Sequence, residues 1–139
     1  MRTALDTNVL SSVWGGEPTA PRITAFLREA SEHGGLVIGP VVYVESLGNP
    51  SITAAELMAF LEDTRIAVDW VIDRPIWQIA GARYEQYARR RRRDRWGEPK
   101  RFIADFLIGA HALLRADRLV TLDQRRYRAD FPELNLVEL

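Results

Sequence analysis

Residues 1–14, MRTALDTNVLSSVW, form the stretch that decides the fold. A short, largely apolar run ends at an acid, Asp6, and a second apolar run begins after two small polar residues, Thr7 and Asn8. The first run predicts a buried strand, and the second predicts the start of a helix. Asp6 is therefore either the N-cap of that helix or a ligand at the end of a buried strand.

Predicted strands and helices alternate along the rest of the chain. Apolar residues recur at helical spacing in five further segments, at residues 23–30, 41–47, 57–61, 76–87 and 102–114. Short apolar or alternating runs predict further strands at residues 36–38, 66–70, 118–122 and 136–139. This order predicts an α/β sandwich around a mostly parallel sheet, in a single domain over residues 1–139.

The composition narrows the class of protein. The 139 residues are 47% hydrophobic and 27% charged, which is ordinary for a globular domain. The chain has no cysteine, which excludes disulfides, thiolate zinc sites and cysteine nucleophiles. No apolar run approaches the ~20 residues that span a bilayer, and the N-terminus lacks a signal-peptide pattern. We expect a cytoplasmic protein that does not associate with a membrane.

Four acids occupy positions that call for an explanation. Asp6 and Asp123 each end a predicted strand, so a parallel sheet would bring both to its carboxyl edge, where α/β sheets bind ligands. Glu45 and Asp105 lie within otherwise apolar helical segments. An ionised carboxylate buried without a partner costs several kcal/mol, so Asp105 in particular requires a cation, an arginine or a proton.

Each acid also has a plain structural interpretation. Asp6 and Asp123 suit helix N-caps, Glu45 suits a half-exposed helix position, and Asp105 is one turn from Arg101. Taken together, however, the four predict one shared site. Because the available donors are hard carboxylate oxygens, the matching cation is Mg²⁺ or Mn²⁺, whose waters can bind or attack a phosphodiester.

Four motifs in order, LDTNVL, VVYVE, DFLIGAHA and LVTLD, resemble a PIN domain, and more narrowly the VapC-type toxins of bacterial and archaeal toxin–antitoxin pairs. The resemblance spans residues 5–123 and implies a metal-dependent ribonuclease with an RNA substrate, an antitoxin partner and a homodimeric state. It also implies roles for particular residues. The catalytic and metal-binding residues would be Asp6, Glu45, Asp105 and Asp123, with Thr7, Asn8 and Thr121 as polar supports.

A basic segment departs from what the resemblance leads us to expect. Residues 89–101, RRRRRDRWGEPKR, hold eight basic and two acidic residues, a net charge of +6 in a chain of net charge zero. Five consecutive arginines, ~100° apart on a helix, circle it completely, so the helix must project or end there. The RNA-binding candidates are Arg89, Arg90, Arg91, Arg92, Arg93, Arg95, Lys100 and Arg101, with Trp96 as a possible stacking residue. A solvated loop and a site for an acidic partner are the alternatives. Residues 124–127, QRRY, add further positive charge.

Two functions of other classes compete with the nuclease. A phosphotransferase with Asp6 as nucleophile would ordinarily have a second acid two positions later, where this chain has Asn8. A non-catalytic α/β module would use the arginine run to bind nucleic acid or a partner, with the four acids as structural residues. No Gly-rich nucleotide motif is present, and His111 and His33 are predicted to be structural helix residues.

Overall fold

The computed structural model describes residues 1–95 and 97–139. Its sheet has five strands, all parallel, in the order β3-β2-β1-β4-β5. The strands are β1 (Thr3–Leu5), β2 (Leu36–Ile38), β3 (Ile66–Val68), β4 (Arg118–Val120) and β5 (Leu136–Val137). With helices around the sheet, the α/β/α sandwich predicted from the sequence is confirmed.

Seven helices are present in the described part of the chain. They are α1 (Thr7–Trp14), α2 (Ala20–Glu32), α3 (Pro40–Leu47), α4 (Ala54–Asp63), α5 (Arg74–Arg93), α6 (Ile103–Arg115) and α7 (Arg125–Arg128). Helix α7 is the one element that the sequence did not predict. Within the described residues, no helix has the length and apolar character needed to cross a membrane.

The strand order creates a crevice at the centre of the sheet. Strands β1 and β4 are neighbours, with Leu5 beside Val120, and the chain then winds outward in opposite directions from them. At such a reversal the connections leave the sheet on opposite faces, and the carboxyl ends of the two strands border an open cleft. Residues that follow β1 and β4 therefore meet there.

Packing in the core fixes the elements that carry the site residues. Strands β1 and β2 are buried along their whole length, as expected for parallel strands covered on both faces. Helix α6 is buried from Asp105 to Ala112 and approaches Phe131 so closely that a Cβ on Gly109 would overlap the phenyl ring. Glycine at this position lets α6 lie against the segment that follows β4, which fixes Asp105 beside that segment.

Candidate functional site

Asp6 lies at the end of β1 and is 1% exposed. It is the N-cap of α1, where its Oδ1 accepts a hydrogen bond from the backbone N–H of Thr7 at 2.8 Å. Its other oxygen, Oδ2, accepts from the hydroxyls of Thr121 at 2.8 Å and Tyr127 at 3.0 Å. Asp6 is thus a helix cap and also a carboxylate directed into the cleft between β1 and β4.

Glu45 reaches the same cleft from α3. The hydroxyl of Thr7 donates a hydrogen bond to its Oε1 at 2.6 Å, so the residue that binds one oxygen of Asp6 through its backbone also orients Glu45. Glu45 is on the exposed side of α3, whereas Val42 and Ser46 face the interior. The Glu45 carboxylate therefore remains open to solvent and ligands.

Asp105 is the third residue of α6 and is 8% exposed. Its Oδ2 accepts from the backbone N–H of Phe102 at 3.2 Å, and its Oδ1 lies 3.4 Å from Nη1 of Arg126. An acid in the first helical turn is stabilised by the helix dipole and by such capping, so its burial costs less than it would in a helix interior. Arg101, the alternative partner suggested by the sequence, instead lies 3.7 Å from Asp130.

The turn after β4 brings Asp123 to the same edge. The hydroxyl of Thr121 accepts hydrogen bonds from the Asp123 N–H at 3.1 Å and from Asn8 Nδ2 at 3.4 Å, while it donates to Asp6. Asn8 Oδ1 in turn accepts from the backbone N–H of Leu122 at 3.1 Å. The three polar residues predicted as supports, Thr7, Asn8 and Thr121, therefore all contact the turns that carry the acids. Their functional role stays a prediction.

The acids influence one another. Burial raises the pKa of Asp6, although hydrogen bonds from Thr121 and Tyr127 oppose the shift. Burial also raises the pKa of Glu45, and the negative charges of Asp6 and Asp105 raise it further. Burial, followed by the charge of Asp6, holds the pKa of the Tyr127 phenol well above its ordinary value. The phenol therefore stays protonated and donates to Asp6.

A guanidinium occupies the middle of this cluster. Arg126, on α7, has Nη1 3.4 Å from Asp105 and Nε 3.5 Å from Asp123. Burial lowers the pKa of Arg126, but the charges of Asp105 and Asp6 prevail and raise it. Over residues 1–95 and 97–139, no three His, Cys, Asp or Glu side chains are arranged closely enough to hold a metal ion. In this arrangement the counter-charge of the acids is Arg126.

The roles of Arg126 and Tyr127 were not predicted from the sequence, in which both residues belong to a short additional basic stretch. One signal was available. Tyr127 and Phe131 are four residues apart and are both almost completely buried, which is the spacing of one helical face. That spacing could have predicted that both aromatic side chains belong to the core. The pairing of Arg126 with Asp105 had no local signal.

The basic segment divides into paired and unpaired charges. Arg90 binds Glu98 at 2.8 Å and the buried Asp130 at 2.6 Å, and Arg91 Nε donates to the backbone oxygen of Glu98 at 3.4 Å. Ion pairs also engage three others, Arg89 with Glu85, Arg93 with Asp94 and Arg101 with Asp130. In the described chain, Arg92, Arg95 and Lys100 have no such partner. RNA binding by these residues stays a prediction, and Trp96 lies outside the described residues.

Helix α5 continues through all five arginines of the run and ends at Arg93. The histidines are structural, as predicted: His111 is 4% exposed, with Nε2 2.8 Å from Asp69 Oδ2, and His33 follows the end of α2, with Nδ1 2.8 Å from the oxygen of Glu29.

Comparison with known proteins places the chain in a family. The structure is similar to that of VapBC2 from Rickettsia felis bound to a DNA fragment from its promoter, with a TM-score of 0.65, 20% identity and coverage of 99% of this chain and 98% of that one. It is also similar to VapBC-1 from nontypeable Haemophilus influenzae, with a TM-score of 0.65, 22% identity and the same coverage. No curated protein sequence gives a significant match. The sequence model of the PIN domain matches residues 3–132, and the chain therefore belongs to the PIN domain family.

Proposed function

We propose that this protein is a ribonuclease dependent on Mg²⁺ or Mn²⁺ and that it acts as the toxin of a VapC-type pair. The observation that carries the proposal is the meeting of Asp6, Glu45 and Asp105 at the carboxyl edge of the sheet. Thr7 hydrogen-bonds to both Asp6 and Glu45, and Asp105 lies beside Arg126, whose neighbour Tyr127 donates to Asp6. Proteins of the PIN domain family are nucleases and generally use divalent metal ions.

The acid cluster fits such an ion in its donor chemistry. All the donors are carboxylate oxygens, which hard divalent cations prefer. Burial and, after it, repulsion from Asp6 and Asp105 raise the pKa of Glu45, and a bound cation would relieve that repulsion. Asp6, Glu45, Asp105 and Asp123 would hold the ion, and Arg126 would have to withdraw from Asp105 and Asp123 to admit it. Bound there, the ion supplies positive charge for the scissile phosphate and lowers the pKa of a water.

The surrounding residues orient the carboxylates before a ligand arrives. The hydroxyls of Thr121 and Tyr127 fix Oδ2 of Asp6, and Thr7 fixes Oε1 of Glu45. Such hydrogen bonds from neighbouring residues set the direction of a ligand's lone pairs and reduce the rearrangement needed on binding. Arg126, once displaced from the acids, remains at the edge of the cleft as a cation for an RNA phosphate.

An antitoxin and a second copy of the chain are the proposed partners. The two VapBC structures support the first, although the likeness to them extends only to the fold. Several large apolar side chains are exposed, among them Val44, Trp70, Val71 and Trp77, with 54% to 76% of their surface accessible. Exposed apolar groups of this size are typical of surfaces that contact another chain.

Cleavage of RNA tests the proposed activity. We expect the purified protein to cleave single-stranded RNA in the presence of Mn²⁺ or Mg²⁺ and to stop when EDTA is added. Asp6→Asn should abolish cleavage, because the amide is a poor ligand for a hard cation, while circular dichroism shows a retained fold. Asp63→Asn, a matched change at an exposed acid of α4, should cleave like the unchanged protein.

Cleavage that persists in EDTA, or that survives Asp6→Asn in full, would contradict the proposal. Hydrolysis of phosphomonoesters without cleavage of RNA would favour the phosphotransferase instead. Binding of RNA that ignores metal and survives loss of the acids would favour the non-catalytic module.

A further inference from the structure

An open pocket of about 330 Å³ lies between the last turns of α5 and the segment that leads to α6. Its described lining contains two tyrosines and five basic residues, Arg91, Arg92, Arg95, Lys100 and Arg101. The volume is at the lower end of the range for pockets that hold small ligands. Because most of the lining is cationic, the matching ligand is an anion.

The walls of the pocket are fixed by specific contacts. The hydroxyl of Tyr87, on α5, donates to the backbone oxygen of Pro99 at 3.2 Å and accepts from the backbone N–H of Arg101 at 2.6 Å. Arg90 holds Glu98 and, through Asp130, is tied to the body of the protein. The segment over residues 97–101 is therefore anchored to α5, and specific contacts within the fold hold the walls of the pocket in place.

Three cations that line this pocket have no partner among the described residues. Arg101 is paired with Asp130, whereas Arg92, Arg95 and Lys100 make no ion pair or hydrogen bond through their side chains with the described residues. Three cations that converge on one small pocket repel one another unless an anion joins them. They supply the charge that a phosphodiester would neutralise.

The backbone at Arg95 adds independent support. Its φ is +44°, in the left-handed region, directly after the residue that caps the end of α5. Glycine or asparagine normally occupies this position, because any other side chain costs free energy there. The chain nevertheless carries an arginine at this position, and its side chain lines the pocket.

An aromatic face lies beside the cations. Tyr84 is 38% exposed, and its ring packs edge-to-face against Phe106 with the centroids 5.2 Å apart, so its orientation is fixed. Tyrosine faces of this kind stack with the bases of single-stranded nucleic acids. An acidic peptide would use the cations but has no matching group for a fixed aromatic ring.

The pocket adjoins the acid cluster. Arg101 donates from Nη2 to the backbone oxygen of Arg125 at 3.2 Å, beside Arg126 of the cluster. The chain then passes from Arg101 through Phe102, whose N–H is bound by Asp105. A polynucleotide held in the pocket can therefore continue directly into the cleft that contains the acids.

We propose that this pocket binds one nucleotide of single-stranded RNA next to the point of cleavage. Arg92, Arg95 and Lys100 bind its phosphate, and Tyr84 stacks on its base. The inference rests on the proposed function in that it takes RNA as the ligand, but it assigns a separate set of residues to the binding step.

Equilibrium binding without metal tests the subsite. The probe is a fluorescein-labelled oligouridylate of about 12 nucleotides, within the usual site sizes for single strands, measured by anisotropy in EDTA over a series of salt concentrations. Arg92→Gln and Lys100→Gln should each reduce the slope of log K against log salt by about 0.7, the value for one lost phosphate contact. Tyr84→Leu should weaken binding by about fivefold or more with an unchanged slope.

Arg95→Gly separates binding from stability. Glycine suits the left-handed backbone, so this variant should melt no lower than the unchanged protein and still bind RNA more weakly. The matched control is Arg89→Gln combined with Arg93→Gln, since both residues are exposed on α5 but do not line the pocket. This double variant loses more charge than any single pocket variant and should lower the slope less.

Equal losses of affinity and slope in pocket and control variants would overturn the inference, because they would indicate general attraction by the basic segment. Polyglutamate that competes with the probe as strongly as unlabelled RNA would overturn it as well, in favour of an acidic protein ligand.

Cleavage assays of the unchanged protein in Mn²⁺ keep the two proposals distinct. If the protein does not cleave RNA but the pocket variants bind as expected, only the proposed nuclease activity is contradicted. If cleavage is normal but the pocket variants bind RNA like the unchanged protein, only the proposed nucleotide subsite is contradicted.

Discussion

At the scale of single residues, burial raises the pKa of two acids of the site, Asp6 and Glu45. Asp6 is buried under hydrogen bonds from Thr7, Thr121 and Tyr127, and these favour its ionised form while burial disfavours it. Burial raises the pKa of Glu45 most, and the charges of Asp6 and Asp105 raise it further, while the hydrogen bond from Thr7 and the charge of Arg126 lower it. Neighbouring acids whose pKa values are raised in this way are suited to bind a cation.

We expect Glu45→Gln to stabilise the metal-free protein at pH 7, with a melting temperature higher by about 2 °C. The folded pKa of Glu45 is raised above its ordinary 4.5 by burial and by Asp6 and Asp105, so ionisation at higher pH destabilises the fold. The gain should therefore be present above the folded pKa and vanish as the pH falls to 4.5. Glutamine keeps an oxygen for the Thr7 hydroxyl.

Thermal melts in EDTA from pH 4 to 7 measure this effect, and Glu29→Gln, at an exposed position on α2, is the matched control. A melting temperature for Glu45→Gln below that of the unchanged protein at pH 7 would show that the carboxylate stabilises the metal-free fold.

Tyr127→Phe removes a single hydroxyl from the buried site. Because that hydroxyl donates to Oδ2 of the buried Asp6 carboxyl group, its loss should reduce the free energy of unfolding by about 2 kcal/mol. Urea denaturation in EDTA measures it. Tyr43→Phe is the comparison, since the Tyr43 hydroxyl makes no hydrogen bond with the described residues, and equal stability losses in the two variants would rule out a special role for the bond to Asp6.

At the scale of elements, the segment after β4 joins the acid cluster to the basic segment. Helix α7 places Tyr127 and Arg126 among the acids, and Asp130, just beyond it, binds Arg90 of α5 and lies beside Arg101 before α6. Asp130 is 3% exposed, and two arginines depend on it for charge compensation.

Loss of Asp130 should therefore weaken the contacts that hold α5 and the segment before α6 to the segment after α7. We expect Asp130→Ala to lower the free energy of unfolding by about 3 kcal/mol, because it removes the buried acid beside Arg101 and one of the two acids that Arg90 binds. Trypsin should also cut more rapidly at Lys100 and Arg101. Glu133→Gln, which breaks a surface ion pair with Arg83, should cost less than about 1 kcal/mol. Similar costs for the two variants, measured by urea denaturation, would show that Asp130 is not the anchor.

The regular elements could be predicted because their signals are local. The capping box at Thr53 and Glu56 forms both of its hydrogen bonds, at 3.2 and 3.1 Å, and the apolar runs of β1 and β2 are buried as expected. Helix α7 could not be predicted in this way, since four residues are too few to display a helical period. Its contacts with Asp6 and Asp105 arise only from the packing of distant segments.

At the scale of the whole molecule, the charge is divided between two neighbouring regions. A basic pocket lies beside a cleft of four acids, and the chain as a whole has no net charge. Such an arrangement attracts a polyanion to one region and a cation to the other. Arg126 lies inside the acidic region, 3.4 Å from Asp105 and 3.5 Å from Asp123.

A divalent cation should stabilise the folded protein by mass action. We expect saturating Mn²⁺ to raise the melting temperature by about 5 °C. Arg126→Gln should melt lower in EDTA, because the acids lose their counter-charge, and should gain more from Mn²⁺, because the ion no longer displaces a guanidinium. The matched control is Arg125→Gln, an exposed arginine on the same helix. An equal increase in melting temperature on addition of Mn²⁺ in the two variants would contradict competition between the ion and the Arg126 guanidinium.

The most direct test of the central claim is the anomalous scattering of manganese in a crystal of the protein grown with Mn²⁺. We expect a strong peak bonded to Asp6 and to at least one of Glu45 and Asp105, with the Arg126 guanidinium moved away from Asp105. Crystals at high manganese concentration that show no peak among these carboxylates, with Arg126 still in contact with Asp105 and Asp123, would contradict a metal-dependent site.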